Sequence, residues 1–209
     1  LREKDGVRYN FDSKGSLSEI TEPNGNKITL IYNGDLITTI TDSSGRNLNL
    51  SYDASVRITQ VTDPAGNIFR YEYDANGNLT KAIGPANNQT TYSYDANHNL
   101  LLIADPDNYH TYLTYDGQDR AIQFNHDGDN GKITLSYNSG NTSITNSRGY
   151  ATTYYYSIID GNGVIIQITD PLSNIQRFTW DDTLNKTSST NANGKKTSYT
   201  YDSKGNLLT

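Results

Sequence analysis

The sequence predicts an all-β protein built from tandem β-hairpin repeats of about 21 residues, which together form a long, coiled, antiparallel sheet. Three observations support this fold class. An aromatic residue followed by Asp, Asn or Ser recurs along the whole chain, an apolar residue stands two positions before each of these aromatic residues, and turn-forming sequences occur twice in each period.

The recurring aromatic positions, which we call anchors, set the period. Their spacing ranges from 19 to 24 residues and is most often 21. The clearest copies start at Tyr73 and Tyr201, and both read Tyr-Asp-x-x-Gly-Asn-Leu. The ten anchors are Phe11, Tyr32, Tyr52, Tyr73, Tyr94, Tyr115, Tyr137, Tyr156, Trp180 and Tyr201.

Each anchor belongs to a predicted β-strand. The position two before the anchor, which we call the pre-anchor, is apolar or aromatic in all ten copies, whereas the residue between them is mostly polar. Residues at i and i+2 share one face of a strand but lie on opposite sides of a helix. We therefore predict that Tyr71 and Tyr73 point to one face of the sheet and Glu72 to the other. Tyr73→Ala should then destabilise the protein more than Glu72→Ala.

The two turns of each period leave room for two strands of roughly five to seven residues, which is an ordinary strand length. After the anchor, Asp74 can bind the backbone two residues on, and Gly77 can adopt a positive φ. The second strand is less regular, because Leu17 and Ile20 are three residues apart instead of two. This spacing predicts a β-bulge that re-aims the side chains; one short helical turn is the alternative.

Composition restricts the class of protein further. Only 33% of the residues are hydrophobic, which argues against a large two-layer core, and 17 Tyr argue against disorder. A formal net charge of −6 without a basic stripe argues against a nucleic-acid partner. No window approaches the roughly 18 apolar residues of a membrane-spanning helix. Cys is absent, which excludes disulfides and thiolate chemistry.

These repeats resemble the YD-repeat, or Rhs-repeat, family, whose unit reads Tyr-Asp-x-x-Gly-Asn/Arg-Leu with Asp-Pro-x-Gly-Asn half a period later. Tyr73 to Leu79 and Tyr201 to Leu207 fit the first half, and Asp63 to Asn67 fits the second. The longest anchor spacing contains Asp160-Gly161-Asn162-Gly163, which suggests a small insertion. The resemblance extends over the whole chain, so we expect one array of about ten repeats over residues 1–209.

The resemblance also implies a role. In bacterial Rhs and wall-associated polymorphic toxins, insecticidal toxin complexes and teneurins, such repeats wind into a hollow β-shell, which in the bacterial toxins encloses a C-terminal toxic domain. The implied role is an open segment of shell wall in a secreted or cell-surface bacterial protein, without enzyme activity. The implied partners are flanking repeats and the enclosed toxin domain. Because Met is absent and the first residue is Leu1, we expect a piece of a longer chain.

Few residues suggest catalysis. Asp181 and Asp182 are adjacent carboxylates, but their position after an anchor favours a turn over an acid–base pair. The segment from Asp127 to Gly131 is rich in oxygen ligands, yet it lacks the pattern of an EF-hand calcium loop. Asp63-Pro64-Ala65-Gly66 resembles the family's autoproteolytic signature, but Asn67 replaces its Leu, which favours an ordinary turn. We expect no catalytic residue, cofactor or metal ligand, and the three dispersed histidines are predicted to lie in turns or on the surface: His98, His110 and His126.

Two other functions stay open. Exposed aromatic rings can stack on sugars, so a glycan-binding adhesion module is the alternative, with the densest rings at Tyr154, Tyr155, Tyr156 and Trp180. Loss of sugar binding in Tyr155→Ala or Trp180→Ala would support it. A polysaccharide hydrolase is the least supported function, because such enzymes need two carboxylates that converge across a sugar.

Overall fold

The structure is a computed structural model that describes Leu1, Glu3 and residues 6–209. These residues form 19 β-strands and one short 3-10 turn, and every strand pairs antiparallel with its sequence neighbour inside each of two compact units. The all-β hairpin-repeat fold predicted from the sequence is confirmed. The single array over residues 1–209 stays a prediction, because the chain divides into units Leu1–Asn108 and Tyr109–Thr209.

The first unit is a meander of ten strands. They are β1 (Arg8–Phe11), β2 (Leu17–Thr21), β3 (Lys27–Asn33), β4 (Leu36–Asp42), β5 (Asn47–Tyr52), β6 (Ile58–Thr62), β7 (Ile68–Tyr73), β8 (Leu79–Ile83), β9 (Gln89–Tyr94) and β10 (Leu100–Ala104).

The second unit is a meander of nine strands. They are β11 (His110–Tyr115), β12 (Ala121–His126), β13 (Ile133–Asn138), β14 (Asn141–Asn146), β15 (Ala151–Ile159), β16 (Asn162–Thr169), β17 (Ile175–Trp180), β18 (Lys186–Thr190) and β19 (Lys196–Ser198). The 3-10 turn lies at Asp127–Asp129, between β12 and β13.

A β-bulge in each regular hairpin explains the three-residue spacing of the second strand. In β5–β6, Tyr52 lies opposite Ile58 and Leu50 lies opposite Val61, so the register shifts by one residue between these pairs. The extra residue restores Ile58 and Val61 to one face. The predicted bulge is confirmed in eight hairpins: β1–β2, β3–β4, β5–β6, β7–β8, β9–β10, β11–β12, β15–β16 and β17–β18.

The two faces of the sheet differ as the alternation predicted. All ten pre-anchors are half-buried, and the residue between pre-anchor and anchor is exposed in every copy except at Tyr155. We call the side that carries the anchors the ladder face. Val164, which is 8% exposed, is the only buried apolar side chain among the described residues, which agrees with the low apolar content. The aromatic ladder therefore takes the place of a two-layer core.

Most turns at the two edges of each meander share one geometry. The Asp74 N–H donates to the Asn78 carbonyl at 3.0 Å, and the Gly77 N–H donates to the Asp74 carbonyl at 3.1 Å. The half-period turn at Asp63 makes the equivalent pair of bonds, both at 3.0 Å. The third residue after the first Asp of the turn adopts a positive φ, which is 89° at Gly77. Val56 takes this position with a φ of 67°, a strained conformation for a β-branched residue.

Three hairpins depart from the repeat. In β3–β4 the strands continue to the pair Asn33–Leu36, so only Gly34 and Asp35 lie between them. The β13–β14 hairpin pairs without a register shift. The β15–β16 hairpin has strands of 9 and 8 residues that meet at Asp160 and Gly161, which confirms a small insertion at this point.

Candidate functional site

Six of the ten anchor rings connect their hairpin to the one before it. The Tyr73 hydroxyl donates a hydrogen bond of 2.8 Å to the backbone carbonyl of Ile58, 15 residues earlier in the chain. We call this contact the anchor hydrogen bond. It recurs in Tyr32 to Leu17, Tyr52 to Ile37, Tyr137 to Ala121, Trp180 to Ile165 and Tyr201 to Lys186, at distances of 2.8 to 3.0 Å.

The acceptor of this bond lies at the bulge of the preceding hairpin. Ile58 is the residue opposite the anchor Tyr52, where the ladder of β5–β6 shifts register. A bulge disrupts the regular pairing of backbone groups. A half-buried carbonyl at such a point needs another donor, and the next anchor supplies it.

A recurring set of hydrogen bonds, which we call the turn box, closes the turn that follows the anchor. Asp74 Oδ1 accepts from the N–H groups of Asn76 and Asn78, both at 2.9 Å, and Asp74 Oδ2 accepts from the Asn78 side chain at 3.0 Å. These bonds stabilise the ionised carboxyl, so the pKa of Asp74 lies below its ordinary value, with the Asn78 side chain as the largest cause. The sequence predicted the bond from the N–H two residues after Asp74. It did not predict the bonds from Asn78, four residues after Asp74.

In two of the turns that follow an anchor, an arginine replaces this asparagine, and its side chain extends to the next hairpin. Arg57 pairs with Asp53, with 2.8 Å between Nη2 and Oδ2, and its guanidinium carbon lies 4.6 Å from the centre of the Tyr73 ring in the next hairpin. Arg120 does the same toward Tyr137, at 4.4 Å. One side chain thus closes its own turn and covers the following anchor.

His98 lies in a turn, as predicted. It takes the position that Gly occupies in other repeats, with a φ of 68°. Its Nδ1 lies 2.7 Å from Oδ1 of Asn78, the residue that closes the equivalent turn one repeat earlier. His98 lies in the first unit, whereas the other two histidines lie in the second.

His110 and His126 lie on the neighbouring strands β11 and β12, with their side chains on opposite faces of the sheet. On the face opposite the ladder, Asp127 Oδ2 accepts from the His110 backbone N–H at 2.8 Å and lies 3.1 Å from His110 Nδ1. On the ladder face, His126 Nδ1 lies 3.0 Å from the Thr111 hydroxyl, and the His126 ring packs edge-on against Phe124. The sequence offered no signal for the contact between His110 and Asp127, because residues 127–132 depart from the repeating turn.

The oxygen-rich segment from Asp127 to Gly131 is occupied by internal hydrogen bonds. The Tyr112 hydroxyl donates to Asp127 Oδ1 at 3.1 Å, so both carboxylate oxygens have protein donors. These donors hold the pKa of Asp127 below its ordinary value, with the His110 backbone N–H as the largest cause. Across residues 1, 3 and 6–209, no group of three or more acidic, histidine or cysteine side chains is arranged to hold a metal ion.

Asp181 and Asp182 do not act as a pair. Asp181 forms the turn box, with its Oδ1 accepting from the N–H groups of Thr183 and Asn185 at 3.0 and 2.9 Å. Asp182 is exposed. Asp63 likewise closes its turn by accepting from Asn67, so Asp63 to Gly66 has the geometry of an ordinary turn.

Three of the four rings considered for sugar binding belong to the ladder. Tyr154 is a half-buried pre-anchor, Trp180 donates to the Ile165 carbonyl at 2.8 Å, and Tyr156 lies 3.5 Å from the Asn138 carbonyl. Tyr155 lies on the opposite face and is half-buried. Tyr154, Tyr155 and Trp180 are half-buried, whereas Tyr156 is 39% exposed.

The hairpins, bulges and anchor hydrogen bonds define a tandem β-hairpin repeat protein in which each repeat depends on its neighbours. The model of the family described as RHS Repeat matches residues 32–68, 52–88, 73–110 and 182–209, which together make up just over half of the chain. The chain therefore belongs to the RHS repeat family. No curated protein matches the sequence.

Solved structures support the same fold. A crystal structure of TcdB2-TccC3 without its hypervariable C-terminal region has a TM-score of 0.61 and 18% sequence identity, and the match covers 95% of this chain and 12% of that chain. A crystal structure of TcdB2-TccC3 has a TM-score of 0.53 and 14% identity over 99% of this chain and 16% of that chain. This chain thus corresponds to 12% and 16% of those two chains. Among the residues described, no helix is both long and apolar enough to cross a bilayer.

Proposed function

We propose that this chain is a non-enzymatic wall segment of a secreted or cell-surface bacterial protein of the toxin type, in which RHS repeats enclose a C-terminal toxic domain of the same chain. The observation that carries the proposal is the anchor hydrogen bond. Because Tyr73 and five other anchors bond to the bulge of the preceding hairpin, these repeats complete their neighbours. An array built this way extends without a separate core, which suits a wall.

The chemistry of the described residues supports a structural role. The carboxylates that follow the anchors are held by backbone and side-chain donors within their own turns, as Asp74 and Asp181 show. A carboxylate that is fixed in this way is poorly placed to act as a general base or to bind a cofactor. The proposed partners are accordingly other repeats and the enclosed domain, with no nucleic acid and no cofactor.

Limited proteolysis of the parent chain tests the container role. We expect the C-terminal segment to resist protease in the wild-type protein and in Glu72→Ala, whose side chain lies on the exposed face. Tyr73→Ala removes a ring from the ladder and should expose the segment. Rapid digestion of the segment in the wild-type protein would contradict an enclosing wall, and the residues that follow Thr209 in the parent gene would show whether a toxic domain is present.

The glycan-binding adhesion module stays the alternative proposal. Its support is Tyr155, which lies outside the ladder, and Tyr156, which is 39% exposed. A glycan array with Tyr155→Ala and Trp180→Ala tests it. Saturable binding that is lost in Tyr155→Ala or Trp180→Ala would favour the adhesin, and incubation with polysaccharides without turnover would remove the hydrolase.

A further inference from the structure

A groove of about 480 Å³ lies on the face opposite the ladder in the second unit, beside the 3-10 turn that replaces the repeating turn. Its walls include Tyr112, Gln123, Asn125, Asp127 and Asp129. Irregular loops are where repeat proteins commonly place binding functions. The groove combines an aromatic ring with two carboxylates, and neither the ladder nor the turn boxes account for it.

The aromatic wall of the groove is fixed and accessible. The Tyr112 hydroxyl is held by Asp127 Oδ1 at 3.1 Å, and Asp127 is itself held by the His110 backbone N–H. The His110 ring lies beside Tyr112, with 5.9 Å between ring centres. Tyr112 is nevertheless 37% exposed, whereas the anchor Tyr115 on the same strand is half-buried. An immobilised and exposed ring loses little conformational entropy when it binds a ligand.

The acidic wall is also held in place. Asn125, which is only 8% exposed, donates through Nδ2 to Asp129 Oδ1 at 3.1 Å, and Gln123 Nε2 donates to Asn125 Oδ1 at 3.1 Å. This chain of amides supports Asp129 at a positive φ of 59°. Within the described part of the chain, neither Asp129 Oδ2 nor Gln123 Oε1 accepts a hydrogen bond. The groove therefore presents acceptors and negative charge beside a ring.

Two arginines elsewhere in the protein already contact both a tyrosine ring and an aspartate. Arg57 and Arg120 each place a guanidinium over a tyrosine ring, at 4.6 and 4.4 Å, while pairing with an aspartate. The groove offers the same two partners, a tyrosine face and aspartates, without an arginine of its own among its lining residues. A guanidinium suits both partners because it stacks on aromatic rings and donates two parallel hydrogen bonds to a carboxylate.

We propose that this groove binds an arginine side chain on a basic peptide segment of a partner protein. The guanidinium stacks on Tyr112 and donates to Asp129 and Gln123, and the two aspartates supply the complementary charge. A lysine fits less well, since its ammonium cannot form the planar paired contact. The proposal does not rest on the container role, since the groove lies on the face opposite the ladder.

Titration of the intact chain with a short peptide that contains one arginine tests the proposal, followed by NMR shifts at pH 7.5 and low salt. We expect saturable shifts at the groove residues, at least about fivefold weaker binding for the peptide with citrulline in place of arginine, and further weakening as salt is raised. Asp129→Asn should weaken binding at least about fivefold, because it removes the charge while Asn tolerates the positive φ. Tyr112→Leu should weaken it similarly by removing the ring face.

Asp160→Asn is the matched control. Asp160 is also an exposed aspartate at positive φ in the second unit, but it lies in the β15–β16 turn and does not line the groove. We expect this variant to bind within twofold of the wild type. The proposal is overturned if the wild type shows no saturable shift, if the citrulline peptide binds equally well, or if Asp160→Asn weakens binding as much as Asp129→Asn does. Melting curves confirm that each variant is folded.

Discussion

Tyr73 offers a direct test of the idea that anchor rings hold the repeats together. Its ring is half-buried on the ladder face, its hydroxyl donates to the Ile58 carbonyl at 2.8 Å, and Arg57 covers the ring. Tyr73→Phe removes only the hydroxyl and leaves the carbonyl without its donor, which should cost about 1 kcal/mol of unfolding free energy. Tyr73→Ala also removes the ring.

The size of the second loss follows from burial. Deleting a fully buried aromatic ring costs roughly 3–5 kcal/mol, and Tyr73 is half-buried, so the ring contributes about 2 kcal/mol. With the hydroxyl bond, the loss in Tyr73→Ala is about 3 kcal/mol. Glu72→Ala is the control on the neighbouring position. Glu72 pairs with Lys81 at 3.0 Å while its side chain is 53% exposed, and such surface pairs are worth about 0–1 kcal/mol.

Thermal and urea unfolding, followed by circular dichroism, measure these differences. A loss of 1 kcal/mol lowers Tm by roughly 4–8 °C in a unit of 60–100 residues. Tyr73→Ala should therefore lower Tm by more than about 10 °C and Tyr73→Phe by about 5 °C. Equal Tm values for Tyr73→Ala and Glu72→Ala would refute the assignment of faces. A Tyr73→Phe variant as stable as the wild type would refute only the anchor hydrogen bond.

Three further outcomes are expected. Val56→Gly should raise Tm by a few degrees, because Val56 is 59% exposed and the relief of roughly 1–2 kcal/mol of left-handed strain outweighs the added chain entropy; a lower Tm would contradict this. Arg57→Asn keeps a residue that closes the turn, as Asn78 does, and loses the contact with Tyr73, so urea unfolding should show a loss of about 0.5–1 kcal/mol, and no loss would show that the stacking is unimportant. The folded pKa of Asp74 is lowered, so its stabilisation is present above the unfolded pKa near 4 and is lost as pH falls through the folded value; Tm should stay level from pH 7 to about pH 5 and fall below about pH 4, and Asp74→Asn should reduce that fall.

The sequence predicts those features that depend on neighbours along the chain. The alternation of Tyr71, Glu72 and Tyr73 predicts the faces, and the three-residue spacing of Ile58 and Val61 predicts the bulge. Both are local, because strand periodicity and a one-residue insertion act within a single hairpin. The turn at Asp74 is predicted for the same reason.

Contacts between hairpins are harder to predict, because they depend on which strands become neighbours. The bond from Tyr73 to Ile58 joins residues 15 apart, and no local pattern marks Ile58 as an acceptor. A signal nevertheless exists in composition: nine of the ten anchors are Tyr or Trp, which carry a donor, whereas only five of the ten pre-anchors do. The groove at Tyr112 had no such signal, since the irregular turn at residues 127–132 sets the position of Asp129.

Trp180 shows what the anchor position requires. It is the only tryptophan in the chain, and its indole nitrogen donates to the Ile165 carbonyl at 2.8 Å, 15 residues earlier, just as the hydroxyl of Tyr73 does toward Ile58. The two side chains differ in ring shape and in donor atom, so the shared requirement is a flat ring that reaches across to the preceding hairpin with a donor at its far end. The apolar ring covers the ladder while the donor satisfies the bulge carbonyl. One side chain therefore performs both tasks in six of the repeats, which helps to explain how an array with only 33% hydrophobic residues holds together without a second layer.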